Sequence, residues 1–364
     1  MPPSHPAERC ARSGAAPVDR ANDTLMNVLI VRPDGIGDVV LSLPVASQLR
    51  HLVPGVKIGF LTSSVVAPIL DHHPDVDYVR TIRWTDRLDD LRTAFSDGVD
   101  ATIFLKPFRR LMWAAFLVQV PIRVATGFRW YSLLANRRIY AHRSDFSRHE
   151  SEYNVEMLKG LGLNSSAVSQ PTLTISDVER DAGERQWIGL PKPRVVIHPG
   201  GAAARRWRPQ HYRDLAIELA YAGYGVAITG NDGERVEFER EVFSLASLPP
   251  GVGNLMGRLS VRELMGVIAT AQVVVSGATG PAHLAAALGV PTVSLYDPRR
   301  NNLPVRWKPL GRGILLRPDV PTCEKCIYEA CPYWDCLDRI TVGRVATTVE
   351  RVIKQFSPIE VFHV

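Results

Sequence analysis

Twice along this 364-residue chain, short blocks of consecutive apolar residues alternate with segments of helical spacing. Strands buried on both faces read as continuous apolar runs, so this alternation predicts parallel sheets with crossover helices. In the first half, strands are expected at Val28–Val31, Ile58–Thr62, Tyr78–Ile82, Ala101–Leu105 and Arg123–Ala125. Helices are expected between them at Val39–Leu52, Val65–Leu70, Leu88–Ser96 and Arg109–Val118. A polar stretch, Asn164–Pro171, leads to a helix near Asp177–Trp187, and the turn-rich Gly189–Pro193 reads as a linker.

The second half repeats the pattern. Strands are expected at Val195–His198, Gly225–Thr229, Val273–Ser276 and Thr292–Leu295, and helices at Pro209–Ala222, Glu234–Leu245, Val261–Thr270 and Pro281–Leu288. A last helix is expected over Val342–Lys354. The fold class is therefore α/β, with two Rossmann-like doubly wound domains, 26–188 and 189–340, and a C-terminal helix and tail, 341–364. The carboxyl ends of the two sheets would face a central cleft. Residues 1–25 lack apolar periodicity and a signal-peptide core; they are expected to be a disordered extension, with Met26 an alternative start.

No apolar run reaches the ~18 residues that span a bilayer. The longest candidate, Leu111 to Ile122, is broken by Gln119 and Pro121. A net charge of +6 suits an anionic partner: a nucleotide diphosphate, a phosphorylated glycolipid or a membrane surface. Nucleic acid is not expected, for no zinc-finger repeat, RNP-like motif or dense basic tract is present.

Three strand-end loops carry chemistry. The first strand ends in Arg32-Pro-Asp-Gly-Ile-Gly-Asp38, where Gly35 and Gly37 let the backbone turn close to a ligand. Val40 replaces the third glycine of a dinucleotide fingerprint, which disfavours a dehydrogenase. At the mouth of a helix, Asp38 suits a cap or a catalytic base. The second loop, His198-Pro-Gly200-Gly201, precedes Arg205-Arg206-Trp207 and reads as a diphosphate cradle or a turn with a solvated basic face. In the third, Ser276-Gly-Ala-Thr279-Gly280-Pro-Ala-His283, a helix N-terminus offers an anion site. His283 there is a ligand contact or a packed first-turn residue. Finally, Cys323, Cys326, Cys331 and Cys336 are spaced for a zinc or iron–sulfur site, or for a reduced structural loop.

Together these blocks resemble the ADP-heptose:lipopolysaccharide heptosyltransferases, glycosyltransferase family 9. The resemblance runs from Met26 to Lys354, through NVLIVRPDGIGDVVLSLPVASQLR, VVIHPGGAAARRWRPQHYRDLA, NLMGRLSVRELMGVIATAQVVVSGATGPAHLAAALGVPTVSLY and CEKCIYEACPYWDCLDRI. It implies a GT-B architecture with an acceptor-side first domain and a donor-side second one. It also implies inversion at the anomeric carbon, no cofactor and no catalytic metal. Asp38 matches the family's general base, with Gly35 and Gly37 in the acceptor-side loop. Gly200, Gly201, Arg205, Thr279, Gly280 and His283 match donor-phosphate positions, Arg205 standing where many members carry lysine. Ala278 stands where many members carry Asp, which bears on the transferred sugar. The implied partners are an ADP-heptose donor and a lipopolysaccharide or similar glycan acceptor. The implied location is the cytoplasm, with peripheral contact at the inner membrane. A 2-epimerase-like enzyme would use the same phosphate loops with further acid/base groups, and a non-catalytic sugar-nucleotide binder would have no use for Asp38.

Overall fold

The computed structural model describes residues 27–165, 168–201, 205–242 and 248–356. The expected disordered extension, the choice of start residue, Cys10 and the C-terminal tail lie outside them. So does the end of the helix expected at Glu234–Leu245.

Two six-stranded sheets carry the chain. The first holds β1 (Asn27–Val31), β2 (Lys57–Ser63), β3 (Tyr78–Ile82), β4 (Ala101–Phe104), β5 (Ile122–Thr126) and β6 (Arg137–Ile139) in the order β3-β2-β1-β4-β5-β6. The second holds β7 (Arg194–His198), β8 (Gly225–Ile228), β9 (Val252–Asn254), β10 (Val273–Gly277), β11 (Thr292–Leu295) and β12 (Gly313–Leu316) in the order β12-β11-β10-β7-β8-β9. Every neighbouring pair is parallel. Both sheets have the doubly wound order whose switch point lies beside the first strand, so β1 and β7 aim their carboxyl ends at crevices. These strands are wholly buried, as their continuous apolar runs require.

The helix expected over Val39–Leu52 is two helices, Ile36–Val40 and Leu43–Leu52. Pro44, in the first turn of the second, cannot donate a backbone hydrogen bond and so breaks a continuous ladder. Ser42 Oγ instead donates to the Asp38 carbonyl at 2.7 Å. Helix Asp177–Arg185 packs on Val261–Ala269 of the second half. A Cβ on Gly183 would collide with the Gly266 carbonyl, so only glycine permits this backbone contact. Helix Val342–Phe356 shares the core of the second sheet through Val345, Val349 and Val352. Among the described residues, no helix is long and apolar enough to cross a membrane.

Candidate active site

Helix Ile36–Val40 from the first half abuts helix Gly280–Ala287 from the second. A Cβ on Gly37 would lie 2.7 Å from His283 Cδ2, and one on Gly280 would lie 3.0 Å from Ile36 Cβ. Glycine at both positions is what lets the loops of the two sheets meet. Their junction opens into a cleft of about 690 Å³, lined by Gly35, Gly37 and Asp38 on one side and by Gly201, Ala278, Thr279, Gly280 and His283 on the other. The three sequence loops thus converge at the carboxyl ends of β1, β7 and β10.

Thr279 is the N-cap of helix Gly280–Ala287, but its Oγ1 is buried with no hydrogen-bond partner. His283 is only 5% exposed and its Nδ1 is also unpartnered. Burial, with a smaller contribution from His149, pushes its pKa down to about 3, so the ring is neutral at physiological pH. His283 therefore both packs against Gly37 and faces the cleft. Orphaned polar atoms at a helix N-terminus suit a phosphate oxygen.

Gly200 and Gly201 both lie close to neighbouring side chains, and Gly201 also has a backbone that favours glycine. A Cβ on Gly200 would strike the Glu234 carboxylate, and one on Gly201, at φ +138°, would strike Thr279 Cγ2. Gly201→Ala is expected to cost about 1–3 kcal/mol from strain and to weaken anion binding by displacing Thr279. A thermal melt indistinguishable from wild type would refute this close approach.

Arg205 is placed differently from the other phosphate-loop residues. Its Nε donates to Cys326 Sγ at 3.2 Å and its guanidinium stacks over Tyr328 at 5.1 Å. It lines a narrow recess with Gly200, Thr279 and Asp297 rather than the main cleft. Arg299 does line the cleft, its Nη2 and Nε both donating to Asp297 Oδ2 at 2.6 and 2.9 Å. The cysteine segment braces this loop: Cys323 N–H donates to the Pro298 carbonyl and the Cys323 carbonyl accepts from Arg300. Cys323, Cys326, Cys331 and Cys336 are free thiols, and among the described residues no three His, Cys, Asp or Glu are arranged to hold a metal.

A second cleft of about 500 Å³ lies behind Asp38, lined by Arg32, Lys106, Phe128, Arg143, Glu150 and Arg306 among others. Asp38 and Trp307 line both clefts. The Asp38 carboxylate caps nothing; Gly35 is the N-cap, and Asp38 accepts from Arg32 Nη2 instead. Arg32, 2% exposed, also pairs with Asp34 at 2.8 Å and Glu150 at 3.0 Å. Glu150 in turn pairs with Arg143 at 2.5 Å and, from the second half, Arg306 at 3.0 Å. Lys106 pairs with Asp34 at 3.1 Å. These four cations face three carboxylates, so the second cleft keeps a positive balance.

Burial raises the Asp38 pKa above the ordinary carboxylate value, opposed by Arg32 and reinforced by Asp34. Burial also acts upward on Glu150, but Arg143, Arg32 and Arg306 outweigh it and hold that carboxyl below its ordinary value. The two acids are thus driven apart: Glu150 is a fixed anion, while Asp38 is a partly exposed carboxylate that takes a proton more readily.

Sequence reasoning missed Lys106, Arg143, Glu150, Glu234, Arg299 and Arg306, and quoted Arg32 without a role. The available signals were local. Arg299 follows a buried strand in Asp297-Pro-Arg-Arg300, and Glu234 sits three residues after Asn231 in a capping pattern.

The model for glycosyltransferase family 9 (heptosyltransferase) matches residues 102–332, well over half of the chain. The chain is 25% identical to lipopolysaccharide heptosyltransferase 1 of Pseudomonas aeruginosa over 90% of this chain and 98% of that protein. Its fold is similar to that of Escherichia coli ADP-heptose heptosyltransferase II, with TM-score 0.76 and 22% identity over 91% of this chain and 99% of the other. It is also similar to the E. coli heptosyltransferase solved with ADP-2-deoxy-2-fluoro heptose, with TM-score 0.65 and 22% identity over 90% and 99%. The paired sheets are a GT-B fold, and the chain belongs to glycosyltransferase family 9.

Proposed function

We propose that this protein transfers a heptose from ADP-heptose to a lipopolysaccharide inner-core acceptor, with inversion and with Asp38 as general base. The observation that carries the reading is that Asp38 lines both clefts. The donor would occupy the cleft beside Thr279, and the acceptor the basic cleft beside Arg32. An acceptor hydroxyl then attacks the anomeric carbon, its proton passes to Asp38, and the bond to the diphosphate oxygen breaks. ADP leaves with the electron pair of that bond.

In this reading, residues 26–188 serve the acceptor and 189–340 the donor. Gly35 and Gly37 keep the wall between the clefts thin. Gly200 and Gly201 admit the diphosphate, while Thr279, Gly280 and His283 donate to it. Arg299, and Arg205 once released from Cys326, add positive charge as the leaving group develops. These groups supply the stabilisation that a divalent ion would otherwise give, so a chelator is expected to leave turnover unchanged. Ala278 offers no carboxylate to the sugar, whereas Glu234 in the same cleft can accept from hydroxyls. Support for the donor class comes from the relatives, which are heptosyltransferases by name, one of them solved with an ADP-heptose analogue.

Thermal-shift titration with ADP-, GDP- and UDP-sugars, followed by transfer to inner-core acceptor, tests the proposal. ADP-heptose should stabilise most and be consumed. Arg205→Ala should weaken donor binding by about 1.5–3 kcal/mol, the range for a hydrogen bond to a charged group. Preference for another base, or no transfer to the acceptor, would refute the assignment.

A further inference from the structure

We propose that helix Arg109–Leu117 and the neighbouring turn Trp130–Leu134 form a face that docks the protein on an anionic phospholipid bilayer. The inference rests on the acceptor assignment above and extends it to the surface that carries the acceptor.

The helix is apolar on both faces, unlike the usual surface helix. Leu111, Met112, Ala114 and Ala115 are buried, yet the outward side presents Arg109, Arg110, Trp113, Phe116 and Leu117 rather than polar residues alone. The adjoining turn adds Trp130 and Leu133, exposed by 73% and 75%. Between helix and turn lies a groove of about 520 Å³ whose walls include Trp113, Trp130, Leu133, Arg109 and Arg110. A contiguous apolar surface of this kind on a soluble fold marks an interaction site.

Charge selects the partner. From Ala101 to Ser144 the chain has eight Lys and Arg and no Asp or Glu. Carboxylates on the packed neighbouring segment are already engaged: Asp89 with Arg92 at 3.3 Å, Asp86 with the Arg83 N–H, and Asp90 with the Arg87 N–H. Arg109 forms no ion pair among the described residues. A two-fold contact with a second copy would set this basic surface against itself. Trp and Leu entering the headgroup region, with arginines held at the phosphates, match an anionic bilayer instead.

Position supplies the purpose. Phe128 and Arg129 line the basic cleft, and Trp130, Tyr131, Leu133 and Leu134 line the groove. One short segment therefore runs from acceptor cleft to docking face. An acceptor anchored by acyl chains can leave them in the bilayer while its sugar enters the cleft.

Flotation with phosphatidylcholine vesicles, with and without phosphatidylglycerol, tests the proposal. Wild-type protein should float with the phosphatidylglycerol vesicles and be released by salt. Trp130→Ser combined with Leu133→Ser should weaken flotation at least about 10-fold, and Arg109→Ala about 5-fold, with melting unchanged. Transfer to acceptor embedded in those vesicles should fall in step, while transfer to deacylated acceptor in solution should not. Absence of wild-type flotation, or flotation indifferent to these substitutions, overturns the proposal. So does a dimer in solution that the Trp130/Leu133 pair abolishes. Protein that turns over soluble acceptor without floating would refute docking alone. Protein that floats without transferring would refute the transferase reading and leave the docking face standing.

Discussion

Asp38→Asn is expected to lower sugar transfer by about 10²–10⁴-fold, the range typical of general-base catalysis, with donor binding retained. Asn keeps the size of the side chain and an oxygen that accepts from Arg32, so the local packing survives. The carboxylate caps no helix, so removing its charge does not unravel Ile36–Val40. What disappears is the carboxylate proposed to accept the proton between the clefts. The donor-side groups Thr279, Gly280 and His283 are untouched, and ADP-sugar should still raise the melting temperature.

The pH profile provides a separate check. The proposed mechanism requires Asp38 ionised, and burial holds its pKa above the ordinary carboxylate value. Turnover should therefore fall with decreasing pH at a point above the usual titration of aspartate, and this limb should be absent from Asp38→Asn. His283 does not confuse the reading, for its pKa near 3 leaves it neutral across the window. Near wild-type turnover by Asp38→Asn would refute the mechanism while leaving the fold and family intact.

How far the sequence predicted this arrangement depended on what each residue is buried against. Central strands such as β1 and β7 were legible because both faces are covered and their consecutive residues Val28–Val31 and Val195–Ile197 are apolar. The edge strands β6, β9 and β12 were not, because they are short and half exposed; Arg-Arg-Ile at 137–139 carries no apolar run. Helix Glu150–Glu156 was invisible for the opposite reason. Its buried side includes Glu150, Ser151 and Asn154, polar residues that break the periodicity that marks a helix. Glycine-rich loops at strand ends advertised the first cleft, beside Thr279. The second, basic cleft depended on Arg32 meeting Glu150 from 118 positions away, a pairing that spacing along the chain does not encode. Arg205 shows another limit: nothing in its motif indicates that its guanidinium rests against Cys326 and Tyr328, more than 120 positions along the chain.

Glu150→Ala is expected to destabilise the protein by about 3–5 kcal/mol, as breaking one side of a buried ion pair does. Glu150 is 1% exposed and is the common partner of Arg32, Arg143 and Arg306. Removing it leaves three guanidinium groups with only Asp34 and Asp38 nearby, and their mutual repulsion adds to the lost hydrogen bonds. Because Arg306 comes from the second half, the loss also loosens the junction that His149 Nε2 and the Lys308 carbonyl help to close at 2.9 Å. Glu150→Gln keeps two polar ends but no charge, so it should recover part of the packing and little of the electrostatic contribution. The linkage has a definite sign. Glu150 is held below its ordinary pKa, so its contribution is present above that value and fades as pH falls through the lowered one. Acid melting curves of Glu150→Ala should accordingly be flatter than wild type over that window. The same substitution removes a negative charge near Asp38 and leaves Arg32 shared between Asp38 and Asp34 alone, so the acid limb of the remaining activity should move to lower pH. A melting free energy within about 1 kcal/mol of wild type, the range of an exposed pair, would show that the cluster does not hold the two halves together.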